Sequence, residues 1–171
     1  MAHHIIIDGI DKTGKSTLAR HLSKKLNMPI KKFSAPDKNP LMEYAEFIIN
    51  KKRPHIIDRC YLSELAYGPV KRGKSYINKT EQFMLEAAIR ERGCFCIYAV
   101  DLKSKITERF DKDKETFLKK SEIPAILEAF DLALKRSILD WTHYAIGDSM
   151  DQLVLKYLID IHCYEVISGA A

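Results

Sequence analysis

The stretch Gly9-Ile10-Asp11-Lys12-Thr13-Gly14-Lys15-Ser16-Thr17, preceded by the apolar run Ile5-Ile6-Ile7, decides how the chain is read. Two glycines with four residues between them let the backbone curl until successive N–H groups point inward, a geometry that a Cβ obstructs. Lys15 then supplies a mobile cation for β- and γ-phosphates, and Ser16 places a hydroxyl where it can ligate Mg²⁺. Leu18, Leu22 and Leu26 follow at helical spacing, so the loop opens a helix whose positive end adds to the anion site. Gly9, Thr13, Gly14, Lys15, Ser16 and Thr17 are therefore expected to hold the phosphates of a nucleoside triphosphate. ATP is the expected donor and Mg²⁺ its ion.

The 171 residues suit one domain with a full hydrophobic core, and 46% hydrophobic content excludes disorder. No apolar run approaches the roughly 18 residues needed to span a bilayer. The start Met-Ala-His-His-Ile lacks a basic region followed by a long apolar stretch, so a cytoplasmic protein is expected. Cys60, Cys94, Cys96 and Cys163 have neither zinc-ligand nor disulfide spacing and read as small apolar residues in a reducing compartment. A net charge of +5 suits nucleic acid, but a protein that handles nucleotides needs the same cations.

In order, His3 to Asp8 reads as a central strand and Lys15 to Leu26 as a helix. A short strand from Pro29 to Phe33, a helix from Asn39 to Asn50 and a strand from Pro54 to Asp58 follow. Cys60 to Gly68 reads as a helix halted at Gly68-Pro69, with a basic loop from Val70 to Asn78. Thr80 to Arg92 is expected to be a helix turning Phe83, Met84, Ala87 and Ala88 inward, ended by Gly93 as a C-cap. Cys94 to Val100 is a fourth, interior strand. The charge-dense segment with Glu108, Arg109, Asp111, Lys112, Asp113, Lys114 and Glu115 is expected to belong to a lid over 108–120. Glu122 to Arg136 carries the apolar stripe Ile123, Ile126, Leu127, Phe130 and Leu134. Tyr144 to Gly147 reads as the fifth strand. Asp151 to Ile161 is the last helix, with Leu153, Val154, Tyr157, Leu158 and Ile161 inward, and the tail from Cys163 is uninformative. The alternation implies an α/β P-loop NTPase fold, a five-stranded parallel sheet flanked by helices, in a single domain.

A second motif supplies the acceptor half of a site. Asp58-Arg59-Cys60-Tyr61-Leu62-Ser63-Glu64-Leu65-Ala66-Tyr67-Gly68 sits at the carboxyl end of a predicted parallel strand, where ligands bind in open α/β sheets. Arg59 can grip a phosphate bidentately, and Asp58 can hold Mg²⁺ through water. Tyr61 and Tyr67 are candidates for the border of a base pocket.

Gly-x-Asp-x-x-Gly-Lys-Ser-Thr followed by Asp-Arg-x-x-x-Ser-x-x-Ala-Tyr-Gly resembles the thymidylate kinase family, particularly its compact phage and viral members. The resemblance implies a nucleotide kinase that moves the γ-phosphate of ATP to a deoxynucleoside monophosphate in the cytoplasm, the host's if the chain is phage-encoded. It implies that Asp11 meets the deoxyribose near its 3′-hydroxyl, that Arg59 holds the acceptor phosphate, and that Ser63 and Tyr67 border the substrate. Ser16 and Asp58 would serve the metal. A transition-state cation is implied at Lys12, in the loop, or at Arg109, in the lid. The family often dimerises through helices, so a homodimer is compatible with the resemblance. The chain departs from the family at Phe33-Ser34-Ala35-Pro36-Asp37-Lys38, where an arginine is common, and this bears on which base is taken. Deoxynucleoside kinases carry a glutamate there to deprotonate a hydroxyl, and Ser34-Ala35-Pro36 offers none, which favours a monophosphate acceptor. The alternatives are a kinase for a hydroxyl, on a deoxynucleoside or a modified base in DNA, and a nucleotide-binding regulatory protein without turnover. The basic run Lys71-Arg72-Gly73-Lys74 with Lys79 suits the DNA version.

Overall fold

Ile5, Ile6 and Ile7 are each 0% exposed, which places their strand in the interior of a sheet covered on both faces. In the computed structural model, which describes residues 3–111 and 117–168, that strand is β1 (Ile5–Asp8). It is followed by α1 (Lys15–Leu26), β2 (Ile30–Lys32), α2 (Leu41–Asn50), β3 (Ile56–Asp58), α3 (Tyr61–Arg72) and α4 (Lys79–Glu91). Then come β4 (Phe95–Ala99), α5 (Lys103–Asp111), a 3₁₀ turn (Lys120–Glu122), α6 (Ile123–Arg136), β5 (Trp141–Tyr144) and α7 (Met150–Ser168). The strands are all parallel, in the order β2-β3-β1-β4-β5.

Alternation along β1 divides the core. Ile6 faces a cluster with Ile57, Tyr61, Tyr98, Ile126 and Phe130, drawn from the α2, α3, α4 and α6 side. Ile5 and Ile7 face Leu18, Leu22, Leu153 and Tyr157 of α1 and α7. The register pairs Ile7 with Asp58 and Asp8 with Tyr98, so two aspartates reach the carboxyl ends of adjacent central strands. That edge of the sheet carries the site.

Four expectations need correction. α3 does not stop at Gly68-Pro69 but runs to Arg72, where Gly73, at φ +75°, caps it by donating its N–H to Pro69 O at 2.9 Å. Part of the expected loop is therefore helix. α4 is rotated from the expected face: Gln82, Leu85, Glu86 and Ile89 are buried, whereas Phe83 and Met84 are 58% and 61% exposed. The rotation follows from the Glu86 carboxylate, which accepts from Tyr61 Oη (2.7 Å), Gln82 Nε2 (2.9 Å) and the Ile138 N–H (2.7 Å) and so satisfies two buried donors and one part-buried donor. β5 lies three residues earlier than expected, because its half-exposed Trp141-Thr142-His143 hides a strand signature. The residues after Tyr144 form a turn in which the Asp148 carboxylate accepts from the Ala145 N–H. Finally, α7 continues through most of the supposed tail, and Leu158 points outward at 51% exposure.

All four cysteines are free. Among the described residues no helix is long and apolar enough to cross a membrane. Residues 112–116 of the expected lid lie outside the described residues.

Glu86→Ala strips a partner from two buried donors and one part-buried donor and is expected to destabilise the fold by about 3 kcal/mol, with Glu86→Gln losing less than half as much. Chemical denaturation of the two variants checks this, and equal losses would contradict the assignment.

Candidate active site

The loop after β1 is shaped by steric necessity. Gly9 has φ +140°, and a Cβ there would lie 2.2 Å from Ala99 O, so the turn can press against β4 only with glycine. Gly14, at φ +80°, is the N-cap of α1, and the N–H groups of Thr17 and Leu18 both donate to its carbonyl. Thr13 Oγ1 and Lys15 Nζ both turn back onto Ile10 O, at 2.7 and 2.5 Å, so the loop closes on its own carbonyl. Lys15 is buried inside this ring. Burial, and then the charge of Arg59, push its ammonium pKa down to about 8, against the opposing pull of Asp11, Asp8 and Asp58.

Ser16 Oγ donates to Asp58 Oδ2 at 3.0 Å, which joins the start of α1 to the end of β3. The other oxygen, Asp58 Oδ1, is buried and has no hydrogen-bond partner among the described residues. A buried orphaned carboxylate oxygen beside a hydroxyl fits a hydrated Mg²⁺ whose remaining ligands come from phosphates. Among the described residues no group of three His, Cys, Asp or Glu side chains forms a metal cage of its own.

Asp8 ties the two motifs together. Its carboxylate accepts from the Gly9 N–H of the phosphate loop and, across the site, from the Cys60 N–H, the Ser63 N–H and Ser63 Oγ at the start of α3. Two of these are orphan donors of a helix N-terminus, so a residue from another strand caps α3. Burial nonetheless raises the Asp8 pKa, which these hydrogen bonds oppose. Sequence reading misses this role because nothing local marks an aspartate at a strand end as a cap for a helix fifty residues on.

Arg59 follows β3 with a left-handed backbone, φ +72°, rare for a residue with a side chain and characteristic of functional turns. Its guanidinium pairs with Asp11 and lies 5.5 Å over the Tyr67 ring. Tyr67 Oη in turn donates to Asp11 Oδ2 at 3.1 Å and accepts from the Asp11 N–H at 3.0 Å. Burial alone would raise the Asp11 pKa, but the charges of Arg59 and Lys15 more than offset it and hold the carboxyl below its usual range.

These groups open onto a cavity of about 540 Å³. Asp11, Lys12, Gly14, Lys15, Ser16, Thr17, Asp58, Arg59, Ser63 and Tyr67 all line it, so both predicted motifs face one space. Thr13 is turned into the loop, and Gly9 packs against β4. Tyr61 is fully buried and bonds Glu86, so it is core and not a pocket border. Arg109 stands beside the loop, with Nη1 donating to Lys12 O at 2.9 Å and Nη2 to Asp101 Oδ2 at 2.5 Å. It does not line the cavity. The sequence left out Phe33, Tyr44, Glu64, Arg72 and Phe117 as site residues, and they too line the wall, beside Lys32, Ser34, Ala35, Pro36 and Cys60. The eight-residue spacing of Glu64 and Arg72, two helical turns, is the signal that a helix continuing past Pro69 would have revealed.

No protein-family model matches the chain, and no curated protein matches it significantly. Solved structures do. The YorR protein of Bacillus subtilis, crystallised in complex with phosphorylated GDP, is 24% identical with a TM-score of 0.76, over 94% of this chain and 97% of that one. Deoxyadenosine kinase from M. mycoides, solved with its products dCMP and a flexible dCDP, is 16% identical with a TM-score of 0.58, over 92% and 99%. A gluconokinase from Sinorhizobium meliloti is 11% identical with a TM-score of 0.55, over 99% and 97%. The chain has the fold of a P-loop kinase. In this kinase fold the loop after β1 and the Asp58-Arg59 turn stand at neighbouring strand ends, the position where open parallel sheets bind ligands.

Because the Lys15 ammonium titrates near 8 in the free protein and a bound triphosphate restores its proton, ATP affinity is expected to fall as pH rises above 8, by up to about tenfold per unit. Calorimetric titration in buffers of different ionisation heat should show proton uptake on binding in that range. Affinity unchanged between pH 7 and 9.5 would contradict the burial-depressed lysine.

Proposed function

We propose that the protein transfers the γ-phosphoryl group of ATP to a deoxynucleoside monophosphate, with thymidylate as the acceptor its two motifs resemble most. The observation that carries the reading is the placement of Arg59 and Lys15 on one cavity, with Asp11 between them as counter-ion. A second cationic centre next to the phosphate loop is what a phosphorylated acceptor requires.

The acceptor's phosphate oxygen attacks the γ-phosphorus, an O–P bond forms, and the bond to the β,γ-bridging oxygen breaks to leave ADP. A phosphate monoester is already largely ionised near neutral pH, its second pKa being about 6, so no side chain has to remove a proton. The work left for the protein is alignment and neutralisation of charge on the transferring group. Lys15 faces the β- and γ-oxygens, Arg59 the acceptor phosphate, and the loop N–H groups the donor. Ser16 and Asp58 would hold Mg²⁺, which when bound neutralises the β- and γ-phosphate oxygens.

A hydroxyl acceptor needs a base, and the cavity's carboxylates are poorly suited to that task. Asp11 is held by Arg59 and Tyr67, Asp58 by Ser16, and Glu64 by Arg72. Asp37 does not line the cavity. These pairings support the monophosphate over the deoxynucleoside or DNA alternatives. The intact Lys15, Ser16, Asp58 and Arg59 support turnover over a purely regulatory role.

Of the two cations set against each other, Lys12 lines the cavity, and Arg109 is engaged by Asp101 and the Lys12 carbonyl. The position of Lys12 on the cavity supports it as the transition-state cation, with Arg109 supporting the loop.

ATP consumption with Mg²⁺ across the deoxynucleoside monophosphates, the deoxynucleosides and duplex DNA tests the proposal. Turnover confined to monophosphates is expected, and turnover only with nucleosides or DNA would overturn it. In the same assay Arg59→Ala should reduce kcat/KM for the acceptor by about 10³-fold or more while leaving ATP affinity within a few-fold. Lys12→Gln should cost kcat at least ten times more than Arg109→Gln, and the reverse order would move the transition-state charge to the lid side.

A further inference from the structure

α7 carries two apolar stripes, and the fold uses one of them. Leu153, Val154, Tyr157 and Ile161 belong to the core cluster that α7 shares with Leu18 and Leu22 of α1. On the opposite side of the helix Leu155, Ile159, His162 and Val166 recur in steps of four, three and four residues, with Leu158 on their flank. Leu155, Leu158, Ile159 and Val166 are 58%, 51%, 52% and 59% exposed. A helix that is apolar on two opposite sides is built to be covered on both. These four side chains leave roughly 400 Å² of apolar surface in water, a contiguous patch of the size that marks an interaction site on a folded protein. Among the described residues none of α7 lines the 540 Å³ cavity, so covering this face leaves the candidate active site open.

We propose that a second copy of this chain covers the face, and that the two α7 helices pair in parallel and in register about a twofold axis. Three observations point to this occupant. First, the alternating steps of four and three make the seam of a two-stranded coiled coil. Its residue types are those of a parallel pair, with β-branched Ile159 and Val166 at the a positions and Leu155 at a d position. Second, the flanks are complementary. A parallel pair sets each g residue against the e residue five places further along the partner, so Asp151 meets the partner's Lys156 and Leu158 meets the partner's Cys163. An antiparallel pair sets each flank against its own counterpart and leaves Asp151 and Lys156 out of each other's reach. Both charges are open to solvent: Asp151 is 68% exposed where it touches His21 and Lys25 of α1, and Lys156 is exposed where it donates to Thr142 Oγ1 at 2.8 Å. Third, in register the seam residues meet their own counterparts, so one surface serves both copies and the assembly closes at two. His162 is the single polar residue of the seam, and facing its counterpart it fixes register at a cost in affinity. Counting both copies and the polar flanks, the interface is on the order of 1,000 Å², the size of a reversible dimer.

Sedimentation velocity on the full chain tests this, and a dimer that dissociates on dilution through the micromolar range is expected. Ile159→Lys lies on the exposed side of α7 and should raise the dimer Kd by about 100-fold or more, with circular dichroism and ATP affinity unchanged. His162→Leu makes the seam apolar throughout and should tighten the dimer about tenfold. Asp151→Lys and Lys156→Glu should each weaken it, and the double variant should recover most of the loss. Direction is read with Leu155→Cys in a Cys163→Ser background: oxidation by diamide joins the two copies at that position in a parallel pair, whereas an antiparallel pair on the same stripe carries it to the far end near Val166. A wild-type chain that stays monomeric throughout the micromolar range would overturn the inference, whatever other partner covers α7. So would a dimer untouched by Ile159→Lys, a double charge variant no better than the single ones, or a Leu155→Cys dimer that does not cross-link.

Discussion

The Asp8 carboxylate is the constraint on which the site depends. It leaves the central strand fully buried and accepts hydrogen bonds from Gly9 on one side and from Cys60 and Ser63 on the other. Its burial is unfavourable for a charge, and the four donors around it are what make a carboxylate tolerable there. A shorter or apolar residue would leave the first turn of α3 uncapped inside the protein. Because that turn also carries Arg59 at its entrance and Ser63, Glu64 and Tyr67 along its cavity side, one anion sets the distance between the donor loop and the acceptor wall.

The other charges of the site follow the same logic. The arginines on and beside the cavity are each given a specific carboxylate: Asp11 for Arg59, Glu64 for Arg72, Asp101 for Arg109. Arg59 keeps its charge despite burial because of Asp11, and Asp11 keeps its own because of Arg59 and Lys15. Lys15 is held differently. Its Nζ is tied to a carbonyl and not to an ion partner, and its pKa falls toward neutrality. A buried ammonium that three nearby carboxylates only partly offset is costly in the free protein, and an incoming polyphosphate relieves that cost, so a large electrostatic gain is reserved for the ligand.

How much of this could be read from the sequence depended on how local each determinant is. The bounds of α1 are legible because Gly14 and the leucines that follow are neighbours in sequence. The five-stranded parallel sheet is legible because strand and helix patterns alternate. The face of α4 is not, since helical periodicity there offers Phe83 and Met84, and only a tertiary demand, three donors converging on the buried Glu86, turns the helix the other way. β5 hides for a related reason: an edge strand with a half-exposed face does not need an apolar run. The candidate site divides the same way. Its loop and its Asp-Arg pair are contiguous motifs, whereas Asp8, Phe117 and the Glu64–Arg72 pair acquire meaning only when distant segments meet.

Pro69 shows how a local rule yields to such a meeting. Its ring removes one helical hydrogen bond, and that ordinarily ends a helix. α3 nevertheless continues for three further residues, because Arg72 can reach Glu64 only across an unbroken turn, and because the Gly73 N–H closes the helix on Pro69 O. Gly68 completes the arrangement by removing the one side chain that would collide with the pair. Two residues that each disfavour helix interiors therefore stand side by side at the point where the helix floor has to be flat. The conformational cost at Gly68 and Pro69 is met by a Glu64 carboxylate that accepts from Arg72, Ser75 and Tyr76 and by a guanidinium stacked on the Tyr76 ring, which is the kind of preorganisation that keeps a cavity wall rigid.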